Sequence, residues 1–145
     1  MFNNYPEFYW RVKSDTKHIA EFYIGKNRYK ALFQWCQVWD EDEEKGTAIP
    51  NNNKSFWEFT YGAASIDGHI HYEPEHETNA LQVFGALFYI LYNFTQENPE
   101  VREIRYTVSS KQKSLINRYI ERRLESHFPE FEMTYDYDTV ILKRK

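Results

Sequence analysis

From Thr78 onward the chain reads helix, strand, helix, strand, and this order constrains the fold more than any other feature. Thr78 or Asn79 supplies an N-cap, and Asn79 with Gln82 resembles a capping box. Ala80, Phe84, Leu87, Leu91 and Phe94 form one stripe at helical spacing, flanked by Leu81, Val83, Phe88 and Ile90. Apolar residues therefore cover most of the circumference, and such a helix is expected to lie buried on a broad front against a sheet. Gly85, in its middle, suits a close approach to a strand. Asn98-Pro99 ends the helix, because proline disfavours helical backbone in the residue before it.

A strand is expected over residues 101–108, with Val101, Ile104 and Tyr106 or Val108 pointing inward. Ser109 or Ser110 then caps a second helix over residues 111–127, whose stripe is Leu115, Ile116, Tyr119, Ile120 and Leu124. Residues 131–135 and 139–142 close the chain as a hairpin or bent strand around Asp136-Tyr137-Asp138.

The first half reads as a β-meander. Residues 7–13 alternate aromatic and polar side chains, Ser14-Asp15-Thr16 supplies a turn, and residues 17–24 place Ile19 and Phe22 to Ile24 among polar neighbours. Gly25-Lys26-Asn27 is hairpin-turn chemistry. Residues 28–39 put Tyr29, Ala31, Phe33, Trp35 and Gln37 on one face and Leu32, Cys36 and Val38 on the other, as in a strand covered on both sides. Residues 40–53 read as the widest loop, without periodicity. Residues 55–64 form the next strand, with Trp57, Phe59 and Tyr61 on one face, and residues 66–72 alternate again and pair with it. Strands separated by helices imply parallel neighbours and right-handed crossovers. The expected fold is therefore α/β in the α+β sense: one domain over residues 1–145, with a β-meander over 1–72 and a helix-strand-helix-strand half over 78–145 on a mixed sheet.

With 145 residues the chain is long enough to bury a core without metal or disulfide staples, and Cys36, the only cysteine, permits no internal disulfide. Aromatic residues make up 19% of the chain, so the core must be largely Phe, Tyr and Trp, and a surplus can mark a partner surface. A net charge of −4 argues against non-specific binding of nucleic acid. The N-terminus lacks a basic segment followed by an apolar run, and residues 80–94, interrupted by Gln82 and Asn93, are too short to span a bilayer. The expectation is a soluble protein inside the cell that contacts no membrane.

The order of meander, helix, strand, helix and strand pair is similar to the GNAT acyltransferase fold. Particular residues carry the resemblance: Trp57-Glu58-Phe59 on a strand, Val83-Phe84 on the first helix, Pro99 followed by EIRYTVSS, and Ser114 to Tyr119 leading into Glu121-Arg122-Arg123-Leu124. That stretch looks closer still to small bacteriophage proteins with a GNAT-like shape. What the resemblance implies is a GNAT-like domain in a phage-type protein, acting in the cytoplasm of an infected cell or packaged in the virion.

One segment departs from the acyltransferases that the resemblance names. Those enzymes grip the cofactor pyrophosphate with a basic, Gly-rich loop at a helix N-terminus. Here the corresponding residues, Glu73 to Asn79, contain no glycine and place Glu73, Glu75 and Glu77 where phosphates would sit. Like charges repel there.

Tyr119 falls where the resemblance implies a tyrosine that protonates a departing thiolate, and equally on the apolar stripe of the second helix, where it would be core. His69 and His71, two apart on one strand face, with His76, Glu73 and Glu75 nearby, form the only metal-like cluster; the alternative is the polar face of an edge strand. Arg118, Arg122 and Arg123, with Lys111 and Lys113, suit contact with a phosphate or an acidic partner, although Glu121 and Glu125 interleave as in a solvated face. Asp40 to Glu44 lacks the oxygen-ligand spacing of a calcium loop.

Three functions follow. The first is a non-enzymatic accessory protein that binds another protein, as a virion component or an inhibitor of a host factor or defence, needs no cofactor, and associates with itself or with its partner. The second is an acetyl-CoA-dependent N-acyltransferase with an atypical cofactor loop. The third is a small enzyme with a divalent transition metal at His69 and His71.

Overall fold

The computed structural model describes residues 7–64, 70–71, 80–107, 118–119, 121–123 and 126–145. They form an α+β structure built on one mixed sheet. In chain order the elements are β1 (Phe8–Lys13), β2 (Lys17–Ile24), β3 (Asn27–Asp42), β4 (Thr47–Ala64), β5 (Ile70–His71), α1 (Ala80–Glu97), β6 (Glu103–Thr107), β7 (Phe131–Asp136) and β8 (Thr139–Arg144). Residues 118–119, 121–123 and 126–127 are also helical. The remainder of the expected second helix, with Lys111 and Lys113, lies outside the described residues.

The sheet runs β1-β2-β3-β4-β6-β8-β7, with β5 paired to β4. Among the described residues only β4 and β6 pair in parallel, at Trp57↔Ile104 and Glu58↔Arg105; the chain reaches β6 from β4 by way of β5 and α1. On the same edge of β4, β5 pairs antiparallel at Ala63 and Ala64. Past Arg105, β6 pairs with β8 alone through Tyr106↔Val140 and Thr107↔Thr139, so β4 and β6 part company there.

Alternation along the strands explains the layering. Ala20, Phe22 and Ile24 of β2, Tyr29, Ala31 and Phe33 of β3, Trp57, Phe59 and Tyr61 of β4, and Ile104 and Tyr106 of β6 are all buried. They share one sheet face, because period-two alternation and the cross-strand register put them there. α1 covers that face. Phe94 stacks on Phe33 at 3.9 Å between ring centroids and meets Trp57 and His18 edge-on at 5.2 and 5.1 Å. Each aromatic contact contributes about 0.5–1.5 kcal/mol beyond area burial. Val83, Phe84, Ala86, Leu87, Phe88, Ile90 and Leu91 are buried as well, so the nearly all-round apolar helix is buried nearly all round. The helix ends at Asn98, whose backbone N and side-chain Nδ2 both donate to the carbonyl of Phe94.

In β2 the buried residues are His18, Ala20, Glu21, Phe22 and Ile24. Three sequence expectations need correction. The strand expected over residues 55–64 begins at Thr47, and the one expected over 28–39 runs from Asn27 to Asp42. The widest loop, residues 40–53, is therefore mostly hairpin, with Trp39↔Pro50, Asp40↔Ile49, Glu41↔Ala48 and Asp42↔Thr47 in antiparallel register. Its acidic side chains hid the strand, since no apolar alternation marks an element that touches no core. The turn closes where Gly46, at φ 62°, donates its N–H to the Asp42 carbonyl at 2.8 Å; a left-handed residue at this point favours glycine.

Candidate functional site

Between the pairs Cys36↔Phe56 and Val38↔Asn51, β3 contributes a single residue, Gln37, against Asn52 to Ser55 of β4. Such an expanded bulge bends the hairpin and strengthens its twist. Beyond it, residues 38–51 leave the body as a two-stranded arm. Five residues per strand at about 3.3 Å each make it roughly 15 Å long. Trp39 is 58% exposed and Ile49 48% exposed. Trp39 faces with Pro50 and Glu41, and Ile49 with Asp40, on the opposite side, so the arm shows one large apolar residue on each flank. Asp40 to Glu44 make the arm strongly acidic.

A polar network pins the arm's root. Ser55 is buried, and its hydroxyl donates to the Asn51 carbonyl and accepts from Val38 N and Gln37 Nε2, at 2.8, 2.8 and 3.0 Å. The Trp35 indole donates to Gln37 Oε1 at 3.1 Å. Asn51 Nδ2 reaches Asp40 at 2.6 Å, which ties the arm to its own base. Arg102, on the turn between α1 and β6, donates to Asn53 Oδ1 at 3.3 Å. These groups surround an open hollow of about 680 Å³, whose lining also includes Glu100 and Arg144. Glu100 is shared with a second hollow of about 310 Å³ beside His18, Lys13 and Asn98.

His18 is buried in an aromatic corner, edge-on to Trp10, Trp57 and Phe94 at 5.7, 5.6 and 5.1 Å. Burial lowers its pKa, because the charged imidazolium loses hydration there. Sequence reasoning missed this histidine. The signal was its place two residues before Ala20 and four before Phe22, in phase with the core face.

Tyr119 is half-buried, edge-on to Phe88 at 5.9 Å, and the Arg123 guanidinium sits 3.6 Å above its ring. With Phe59, Tyr61, Phe84, Phe88 and Tyr106 it lines a small apolar cavity of about 20 Å³ at the parting of β4 and β6. That space is about one water across. Burial raises the hydroxyl pKa of both Tyr61 and Tyr106. Arg123 also donates to the Tyr119 carbonyl at 3.2 Å, whereas Arg118 and Arg122 are exposed. His71 lies in β5, and His69, His76 and the acidic residues 73–79 lie outside the described residues. Among the described residues no group of three or more His, Cys, Asp or Glu is placed to hold a metal.

No protein-family model, curated protein or solved structure matches the chain. Among the described residues no helix is long and apolar enough to cross a membrane.

Proposed function

We propose that this chain is a binding protein that engages another protein through the β3–β4 arm. One observation carries the reading: an arm held outside the core presents Trp39 on one flank and Ile49 on the other. Exposed aromatic anchors ringed by charge are what partner hot spots are made of. Apolar residues on both flanks suit insertion into a cleft rather than docking flat. The acidic run Asp40 to Glu44 calls for a basic rim around that cleft, with association slowed by salt.

The finer scaffold, a GNAT-like domain of phage type, is supported by the resemblance in sequence and by a mixed sheet whose one parallel pair is joined through α1. A partner met inside an infected cell or in a virion fits that origin. The non-catalytic reading is supported by Tyr119, which is packed under Arg123 against a cavity of about 20 Å³.

Differential capture tests the proposal. Extract from the native host is passed over the wild-type chain and over a Trp39→Ser, Ile49→Ser double variant, and unfolding is measured for both. A discrete protein retained by the wild type and released by an equally stable variant supports the arm. Equal retention by both counts against it.

One observation favours a second reading, acyl transfer. The Tyr119 ring borders a cavity where the parallel pair β4 and β6 separates. Acetyl-CoA would have to widen that cavity, and a native-state ligand raises the melting temperature by mass action. No shift with millimolar acetyl-CoA would remove this reading.

A further inference from the structure

We infer that the partner adds a strand to the arm along its β3 edge, and that this strand carries lysine or arginine beside β-branched residues. The inference deepens the proposed role of the arm and rests on it.

The β3 edge is open once it leaves the body. β2 covers it as far as Lys17↔Gln34, and the Trp35 N–H donates to the Thr16 carbonyl at 2.8 Å. Past that point, among the described residues, β3 pairs with β4 alone. Successive residues of a strand send their backbone groups to opposite edges. The Val38 N–H donates inward, to Ser55, and the Asp42 carbonyl accepts inward, from Gly46. Residues 38, 40 and 42 thus turn their N–H and C=O groups toward β4, and Trp39 and Glu41 turn theirs away from it. Both Trp39 and Glu41 are exposed.

The opposite edge of the arm is guarded. Trp39 pairs with Pro50 and Glu41 with Ala48, so Pro50 stands at an outward position of β4 and has no N–H to donate. Proline on an exposed edge blocks pairing with another chain. An incoming strand therefore meets an interrupted row on β4 and a continuous one on β3.

Charge decides what that strand is. Side chains directly opposite each other on neighbouring strands share a face and interact. A second copy that engaged both Trp39 and Glu41 through the same edge would set Asp40 against Asp40, and like charges oppose that pairing. Lys54 approaches Asp40 at 3.9 Å, which leaves Glu41 to Glu44 to be met from outside. A foreign strand gains from cations opposite Asp40 and Glu41 and from a β-branched side chain against the Trp39 ring. It would form one wall of the cleft that receives the arm.

Display selection of random-sequence peptides on the full chain tests this. Enriched peptides are then titrated by fluorescence anisotropy against wild type, Trp39→Ser, Glu41→Pro, Glu41→Gln and Ala48→Pro, with melting temperatures to verify folding. The enriched peptides should combine Lys or Arg with Val, Ile or Thr. Their affinity should fall about tenfold or more in Glu41→Pro, which removes an outward donor, and about threefold in Glu41→Gln, which keeps it. Ala48→Pro, on the guarded edge, should stay within about twofold of wild type. N-methylation of alternate peptide amides leaves the chain untouched and should cost about as much as Glu41→Pro in one of its two phases. Binding lost in Trp39→Ser but indifferent to Glu41→Pro and to N-methylation would overturn the edge pairing and leave the arm standing. Binding indifferent to Trp39→Ser would overturn both. Enrichment of no peptide, enrichment of acidic peptides, or self-association of the chain abolished by Glu41→Pro would also overturn the inference.

Discussion

Up to Cys36, strands β3 and β4 place Phe33, Trp57 and Phe59 beneath α1; past Gln37 the same two strands carry Trp39 and Ile49 into solvent. Backbone pairing continues through both regions, and only the packing stops. What separates them is one network of side chains, Trp35 to Gln37 to Ser55, at the bulge where the register slips. Secondary structure in the arm is thus supported by hydrogen bonding and by its root, whereas in the body it is supported by an aromatic core. A chain that kept a two-stranded ribbon with exposed apolar flanks gains little stability from it, since an isolated hairpin is marginal in water. The proposed recognition role accounts for it.

Substitutions on either side of Gln37 should therefore behave differently. The largest effect belongs to the body. Phe94→Ala removes the ring that stacks on Phe33 and abuts Trp57 and His18, and is expected to cost about 3–5 kcal/mol in chemical denaturation. An effect below 1 kcal/mol would mean that α1 does not clamp the sheet as described.

Next comes the root. Ser55→Ala leaves Val38 N and Gln37 Nε2 short of an acceptor and is expected to cost about 1–3 kcal/mol. Faster amide exchange should appear in residues 38–51 and not in β2. Exchange that rises uniformly would contradict a local pin.

His18 gives a smaller, pH-dependent effect. Its folded pKa lies below the ordinary 6.5, so the unfolded chain binds the extra proton first. The stabilisation is whole above about pH 6.5 and is lost as pH falls below that value toward the folded pKa. Lys13, Glu97 and Glu100 face the ring from neighbouring elements and modulate the shift. Replacing His18 with Leu should flatten the stability slope between pH 7.5 and 5.5; an unchanged slope would assign it to other groups.

The smallest effect on stability is expected in the arm. Trp39→Ser and Ile49→Ser should each stay within about 0.5 kcal/mol of wild type, as exposed substitutions do. A larger loss would show that the arm packs on something.

The body was legible in the sequence where one periodicity met one partner. Trp57, Phe59 and Tyr61 advertised their common face, and the apolar circumference of α1 advertised its burial. The mixed sheet followed from strands interrupted by helix. The arm was not legible, because Asp40 to Glu44 and Asn51 to Asn53 carry turn and solvent signals, and a strand outside the core has no buried face to write into its sequence. His18 was missed for a different reason: its phase with Ala20 and Phe22 was there to read, but a polar residue does not advertise burial until the aromatic corner around it is known. The root network joins Trp35, Gln37, Ser55 and Arg102 from β3, β4 and the α1–β6 turn, and no local spacing announces such an assembly.

Site-specific photo-crosslinking in the native host tests the division most directly, with benzoylphenylalanine placed at Trp39, at Ile49 and, as a body control, at exposed Lys143. Discrete adducts to the same protein from positions 39 and 49, and none from 143, are the expected result. Adducts from 143 alone, or equal labelling from all three positions, would contradict an arm built for contact.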